Sequence, residues 1–87
     1  MENKIEEVMQ YANQIKLNPV LSSNIKGIGY NTERKLMVVL FSNGSKYLYE
    51  SVEPEVYQIV STAESVGKTL NECIVRNKDK YKYHKLT

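Results

Sequence analysis

The longest unbroken apolar run is Leu36-Met37-Val38-Val39-Leu40-Phe41, and it is followed by Ser42-Asn43-Gly44-Ser45 and then Lys46-Tyr47-Leu48-Tyr49. Two β-prone segments flanking an Asn-Gly pair predict an antiparallel hairpin, because Asn and Gly both tolerate the positive φ of a tight primed turn. With Asn43 and Gly44 as the central pair, Leu40 faces Tyr47, Val39 faces Leu48 and Val38 faces Tyr49. One face then carries Leu36, Val38, Leu40, Tyr47 and Tyr49, and the other Met37, Val39, Phe41 and Leu48. Neither face is polar, so the hairpin is expected to be covered on both sides.

Around this hairpin the patterning changes period. Ile5, Val8, Met9, Ala12 and Ile15 recur at three- and four-residue steps and predict a helix over 2–17, stopped at Asn18-Pro19. Residues 22–30 read as a strand with a fault. Ile25 and Ile28 are three apart and Gly27 and Gly29 stand beside them, which predicts a bulge or a close backbone approach. Pro54 opens a helix whose stripe is Val56, Ile59, Val60 and Ala63. Ser65 is an N-cap candidate for a second helix lined by Val66, Leu70, Cys73 and Ile74, ending at Asn77-Lys78-Asp79. The last segment, 80–86, alternates and predicts an edge strand with Tyr81 and Tyr83 on one side and Lys80, Lys82 and His84 on the other. The resulting fold class is α+β: a small antiparallel sheet with element order α-β-β-β-α-α-β and helices packed on it. Residues 1–18 form an amphipathic helical segment, for packing or self-association, and 22–87 form the domain.

Composition narrows this little. The chain has 87 residues, 41% of them hydrophobic and 25% charged, and a net charge of +2. Its placement says more. Residues 1–67 hold six basic and eight acidic side chains, whereas 68–87 hold six basic and two acidic ones. A net of +4 on the last twenty residues points to an anionic partner at that end, or to a solvated basic tail. Cys73 is the single cysteine, so there is no internal disulfide, and its helical spacing makes it a core residue. No secretory signal or membrane span is legible, and a cytosolic protein is expected, in a host's cytosol if the gene is phage-borne.

Several of these residues together resemble the KTSC domain, a small family also found at the C-terminus of some lysyl-tRNA synthetases. They are Ser22-Ser23-Asn24-Ile25, Ile28-Gly29-Tyr30, the run Leu36–Phe41, Gly44, Tyr47-Leu48-Tyr49, Val52, Pro54, Ala63-Glu64-Ser65-Val66-Gly67, Asn71, Ile74 and Tyr81-Lys82-Tyr83. The resemblance spans about residues 22–86 and leaves the N-terminal helix outside. It departs from the family pattern after Gly67, where an aromatic or bulky residue is expected and Lys68 stands. The resemblance implies a nucleic-acid-binding module, and similarity extends to stand-alone small proteins of phages and mobile elements.

The candidate chemistry fits a binder better than an enzyme. Gly67-Lys68-Thr69 ends like a phosphate loop, but the Gly required five residues earlier is Thr62, so an ATPase is excluded. What remains is a hydroxyl at Ser65, backbone N–H groups around Gly67 and a cation at Lys68, which suit a phosphate; simple helix capping is the alternative. In the C-terminal segment Lys78, Lys80, Lys82 and Lys85 suit phosphates, Tyr81 and Tyr83 suit bases, and His84 lies among them. Tyr47 and Tyr49 are expected in the core. A lone His without a thiolate cluster makes no zinc site, and His84 has no carboxylate partner evident in sequence to make it a general base. No catalytic residue, metal or cofactor is expected. The leading expectation is a non-enzymatic module for phosphate-bearing ligands, RNA most simply. The alternatives are a homo-oligomeric, phage-type anti-defence protein that sequesters a cyclic nucleotide signal between subunits, and a protein–protein inhibitor module. The N-terminal helix or a sheet face would supply the oligomer contact.

Overall fold

The computed structural model describes residues 10–12, 14–20, 22–77 and 79–86. Five antiparallel strands lie in chain order: β1 (Asn18–Pro19), β2 (Ile25–Asn31), β3 (Leu36–Phe41), β4 (Lys46–Tyr49) and β5 (Tyr83–Lys85). Between β4 and β5 the chain forms α1 (Pro54–Ser61), α2 (Val66–Leu70) and a π-helical turn, Asn71–Val75. This is the α+β class that the pattern predicts, with a short β1 added where the sequence suggests only a helix stop. Of the N-terminal helix expected over 2–17, residues 2–9 and 13 lie outside the described residues; 10–12 and 14 are helical.

Each turn has a local cause. The Asn31 carboxamide oxygen accepts from the Arg34 N–H at 2.9 Å, and Lys35 turns the chain back at φ 55°. The bulge falls where Ile25 and Gly27 foretell it: the β2–β3 register shifts between those two residues.

The central hairpin differs from expectation by one residue. Met37 pairs with Tyr49, Val38 with Leu48, Val39 with Tyr47 and Leu40 with Lys46. The Gly44 N–H donates to the Phe41 carbonyl at 3.0 Å, and the Phe41 N–H donates to the Ser45 carbonyl at 2.8 Å. Only Gly44 of the loop takes positive φ, at 94°. This is a three-residue loop with a glycine bulge rather than a two-residue primed turn. Side chains alternate along a strand, so the shift moves Tyr47, Leu48 and Tyr49 to the opposite faces from those expected.

Both faces are nonetheless covered, and Val38 and Val39, which point opposite ways, are each 0% exposed. On one face Met37, Val39, Tyr49 and Ile28 pack with Val52, Val60, Val66, Leu70, Ile74 and Tyr81 from the helical half. On the other, Leu36, Val38 and Leu48 pack with Ala12, flanked by Tyr11, Ile15, Leu17 and Leu86. The chain before β1 crosses β2 so closely that a Cβ on Gly29 would sit 2.5 Å from the Lys16 carbonyl oxygen. Gly29 is therefore a point of close approach, as its place in the faulty strand suggests.

The helices also depart from the expected stripes. Ile59 is 56% exposed, and Tyr57 turns inward instead, stacked on Tyr30 with centroids 4.7 Å apart. Helix α1 ends at Ser61, so Ala63 is not part of its stripe. Ser65 occupies the N-cap of α2, but its hydroxyl makes no capping bond. Cys73 is half-buried against the main core. The Arg76 N–H reaches back five residues to the Asn71 carbonyl at 3.0 Å, and the Asn77 carboxamide closes this end on the Cys73 carbonyl at 2.8 Å.

Candidate functional site

Two segments far apart in sequence meet beside β2. Ser22, Ser23 and Asn24 lead into the strand, and Ser65, Gly67 and Lys68 start α2. A Cβ on Gly67 would come within 3.0 Å of the Ser22 hydroxyl, so the two segments touch. The Ser22 hydroxyl accepts from the Asn24 N–H at 3.3 Å, and the Asn24 carbonyl accepts from the Ser42 N–H at 2.8 Å. Together with Asn71 they line a groove of about 420 Å³ whose apolar walls are Ile25, Phe41, Leu70 and Val75.

Phe41 and Val75 also border a second cleft of about 220 Å³, with Ile74 and four tyrosines, Tyr47, Tyr49, Tyr81 and Tyr83. The π-helical turn contributes to both, placing Asn71 at the polar groove and Ile74 and Val75 at the aromatic cleft. Such turns are frequent at functional sites. In the cleft Phe41 meets Tyr47 edge-on at 5.6 Å, and Tyr83 lies 6.2 Å from Tyr47 and 6.1 Å from Tyr49. Burial first, and then neighbouring Tyr47 and Tyr83, push the Tyr49 hydroxyl up to about 12. It therefore stays protonated, a donor, at neutral pH.

The structure sorts the residues singled out by sequence. Ser65, Gly67 and Lys68 come together in the polar groove. Tyr81 and Tyr83 meet in the aromatic cleft, but in different roles. Tyr83 is 47% exposed at the rim, whereas Tyr81 is 2% exposed and forms the floor. Tyr81 precedes β5, tied by its N–H to the Asn77 carbonyl at 3.0 Å, so it is not the freely presented ring that simple alternation suggests. Lys80 holds its ammonium over the Tyr81 ring, 5.3 Å from the centroid. Lys82 and Lys85 are exposed, and Lys85 pairs with Tyr47, which puts it on the cleft's side of the sheet. Lys78 lies outside the described residues. His84 belongs elsewhere: it pairs with Leu48, on the opposite face, and its Nε2 is 2.5 Å from a Glu50 carboxylate oxygen. The carboxylate partner that sequence did not reveal comes from the end of β4, and it lies with His84 on the face away from the aromatic cleft. Sequence reasoning missed Phe41 and Val75 as site residues. It also passed over Ser22, Ser23, Asn24 and Asn71, although all four carry the family resemblance. Among the described residues no three His, Cys, Asp or Glu side chains cluster to hold a metal, and no helix is long and apolar enough to cross a membrane.

The KTSC domain family matches residues 21–83. This chain belongs to the KTSC family. The match contains both groove-forming segments and the aromatic cleft. A crystal structure of a KTSC domain protein from Yersinia pestis superposes with a TM-score of 0.75 at 27% identity, covering 84% of this chain and 99% of that one. An uncharacterized protein of Stutzerimonas stutzeri is 41% identical over 51 residues, 59% of this chain and 72% of its own length. A protein of Tsukamurella paurometabola is 38% identical over 55 residues, 63% of this chain and 82% of its own. The N-terminal segment that covers the second face of the sheet precedes the KTSC match.

Proposed function

We propose that this KTSC domain is a non-enzymatic binding module for phosphate-bearing ligands, with RNA the simplest such ligand. The observation that carries the reading is the adjacency of the two clefts, which share Phe41 and Val75 as lining. A polar groove lined by Ser22, Asn24, Ser65, Lys68 and Asn71 lies beside a tyrosine-lined cleft, with Phe41 and Val75 bordering both. Hydroxyls, carboxamides and a lysine suit phosphate and sugar, and aromatic rings suit bases. Lys80 and Lys85 add positive charge near the aromatic end.

A gel-shift titration with single-stranded and structured RNA at low salt tests this. Binding is expected, and it should weaken with salt. Replacing Lys68, Lys80 and Lys85 should flatten that dependence by roughly one unit of slope for each phosphate no longer neutralised. No shift with any RNA at low salt overturns the reading. The half-exposed rim at Tyr83 supports a second reading, in which another copy closes the cleft over a nucleotide as an anti-defence protein would. Light scattering separates the two, since a strict monomer with and without nucleotide removes the second.

A further inference from the structure

The aromatic cleft is more selective than a charged groove. It has a buried floor, Tyr49 and Tyr81, and an exposed rim, Tyr83. At about 220 Å³ it lies below the roughly 300–1,000 Å³ of a drug-sized site, so it has room for one flat heterocycle and not for a stack. Among the described residues no hydrogen bond engages the Tyr49 or Tyr81 hydroxyl, and no polar side-chain atom is sealed away without a partner. Both hydroxyls therefore keep some accessible surface, and both residues line the cleft. The surroundings argue against a cationic occupant. An aromatic cage attracts an ammonium group, but here Lys80 already sits over Tyr81 and Lys85 shares the cleft's face. A ring carried on an anion fits both the aromatic walls and the positive surroundings.

Building on the binding reading above, we infer that the cleft takes a single unstacked nucleobase, so that the domain selects single-stranded over duplex nucleic acid. The base lies against Tyr83 with its edge toward the Tyr49 and Tyr81 hydroxyls, and its phosphates face the polar groove. A paired base in a duplex is stacked on both sides and cannot enter without leaving the helix.

The test uses the full chain with a fluorescent 12-nucleotide RNA, the same RNA annealed to its complement, and the free mononucleotides. The single strand is expected to bind at least ten-fold more tightly than the duplex. Tyr83→Ala should weaken single-strand binding by roughly 5- to 150-fold, the range expected when one base–aromatic stack is removed. Tyr83→Phe should keep it, and circular dichroism should show both variants folded. Mononucleotides binding as tightly as the RNA, with the same Tyr83 dependence, would support base entry and assign the cleft to a free nucleotide. Equal affinity for duplex and single strand, or an unchanged Tyr83→Ala, overturns base entry while the groove reading stands. Absence of binding to every probe overturns both.

Discussion

Tyrosine is used in opposite ways at the two ends of the helix-covered sheet face. At one end Tyr30 and Tyr57 stack nearly parallel, with an interplanar angle of 14°, and the Tyr30 hydroxyl donates to the Val52 carbonyl at 2.5 Å. At the other end Tyr47, Tyr49 and Tyr83 meet at tilted or edge-on angles around an open cleft. The first arrangement satisfies ring and hydroxyl within the domain. The second leaves ring area and hydroxyls for something else. Aromatic side chains bring a large apolar area with a polar tip, so whether that tip is already bonded separates a structural tyrosine from an available one.

The sharpest way to break this contrast is to remove each ring. Tyr30→Ala deletes the stack, the bond to Val52 and packing against the main core, and should cost about 3 kcal/mol in urea unfolding, the low end for a large aromatic because Tyr30 is only half-buried. A loss below about 1 kcal/mol would mean that the stacked pair is not structural.

Alkaline pH separates the ends differently. Burial pushes the Tyr49 hydroxyl up to about 12, against 10.0 for an unperturbed tyrosine. The unfolded chain thus loses this proton first as pH rises. Stability contributed by keeping Tyr49 neutral is intact below pH 10 and is lost between about 10 and 12. Tyr30 is raised in the same direction, by burial and then by Glu55 and Glu53. Unfolding midpoints measured from pH 8 to 11.5 should fall above pH 10, and less steeply in Tyr49→Phe. A flat profile would contradict the partial burial that raises this hydroxyl.

Smaller is the effect of removing only an oxygen. Tyr30→Phe keeps the stack and loses one hydrogen bond, at about 1 kcal/mol. Tyr49→Phe, whose hydroxyl bonds no other described residue, should be close to neutral at pH 7. Equal losses in the two variants would show that the hydroxyls are engaged alike.

The same contrast shows what was legible in the sequence. The sheet, the two helices and the double-sided cover follow from Leu36–Phe41, Asn43-Gly44 and Pro54, where local propensity and burial agree. The register does not follow, because an Asn-Gly pair serves a two-residue primed turn and a three-residue bulged loop equally well. Which one forms depends on whether Tyr47 and Tyr49 or Leu48 joins the larger core, a tertiary matter. Ile59 and Tyr57 both fit a helical stripe, and the partner ring at Tyr30 decides between them. Alternation treats Tyr81 and Tyr83 as equivalent, but the turn tied to Asn77 ends between them. The polar groove joins Ser22–Asn24 to Ser65–Asn71 across some forty residues of chain, so spacing alone carries no trace of it. The Gly67-Lys68-Thr69 pattern drew attention to the second segment, and only the resemblance brought in Ser22–Asn24.

The smallest stability change belongs to the residue on which the proposed base binding leans most. Tyr83 lies on an edge strand of three residues, and nearly half of its surface is open to water. Removing its ring takes away packing with Tyr47 and Tyr49 but opens no sealed cavity, so Tyr83→Ala should change unfolding free energy by about 0.5 kcal/mol. Ligand affinity should fall far more than that. A residue whose loss is cheap for the fold and costly for binding is one whose surface the fold does not use itself. Thermal unfolding of Tyr83→Ala and Tyr30→Ala beside wild type, each with and without RNA, reads both quantities at once. A Tyr83→Ala protein that melts as early as Tyr30→Ala would make the rim part of the core and erase the distinction between the two ends.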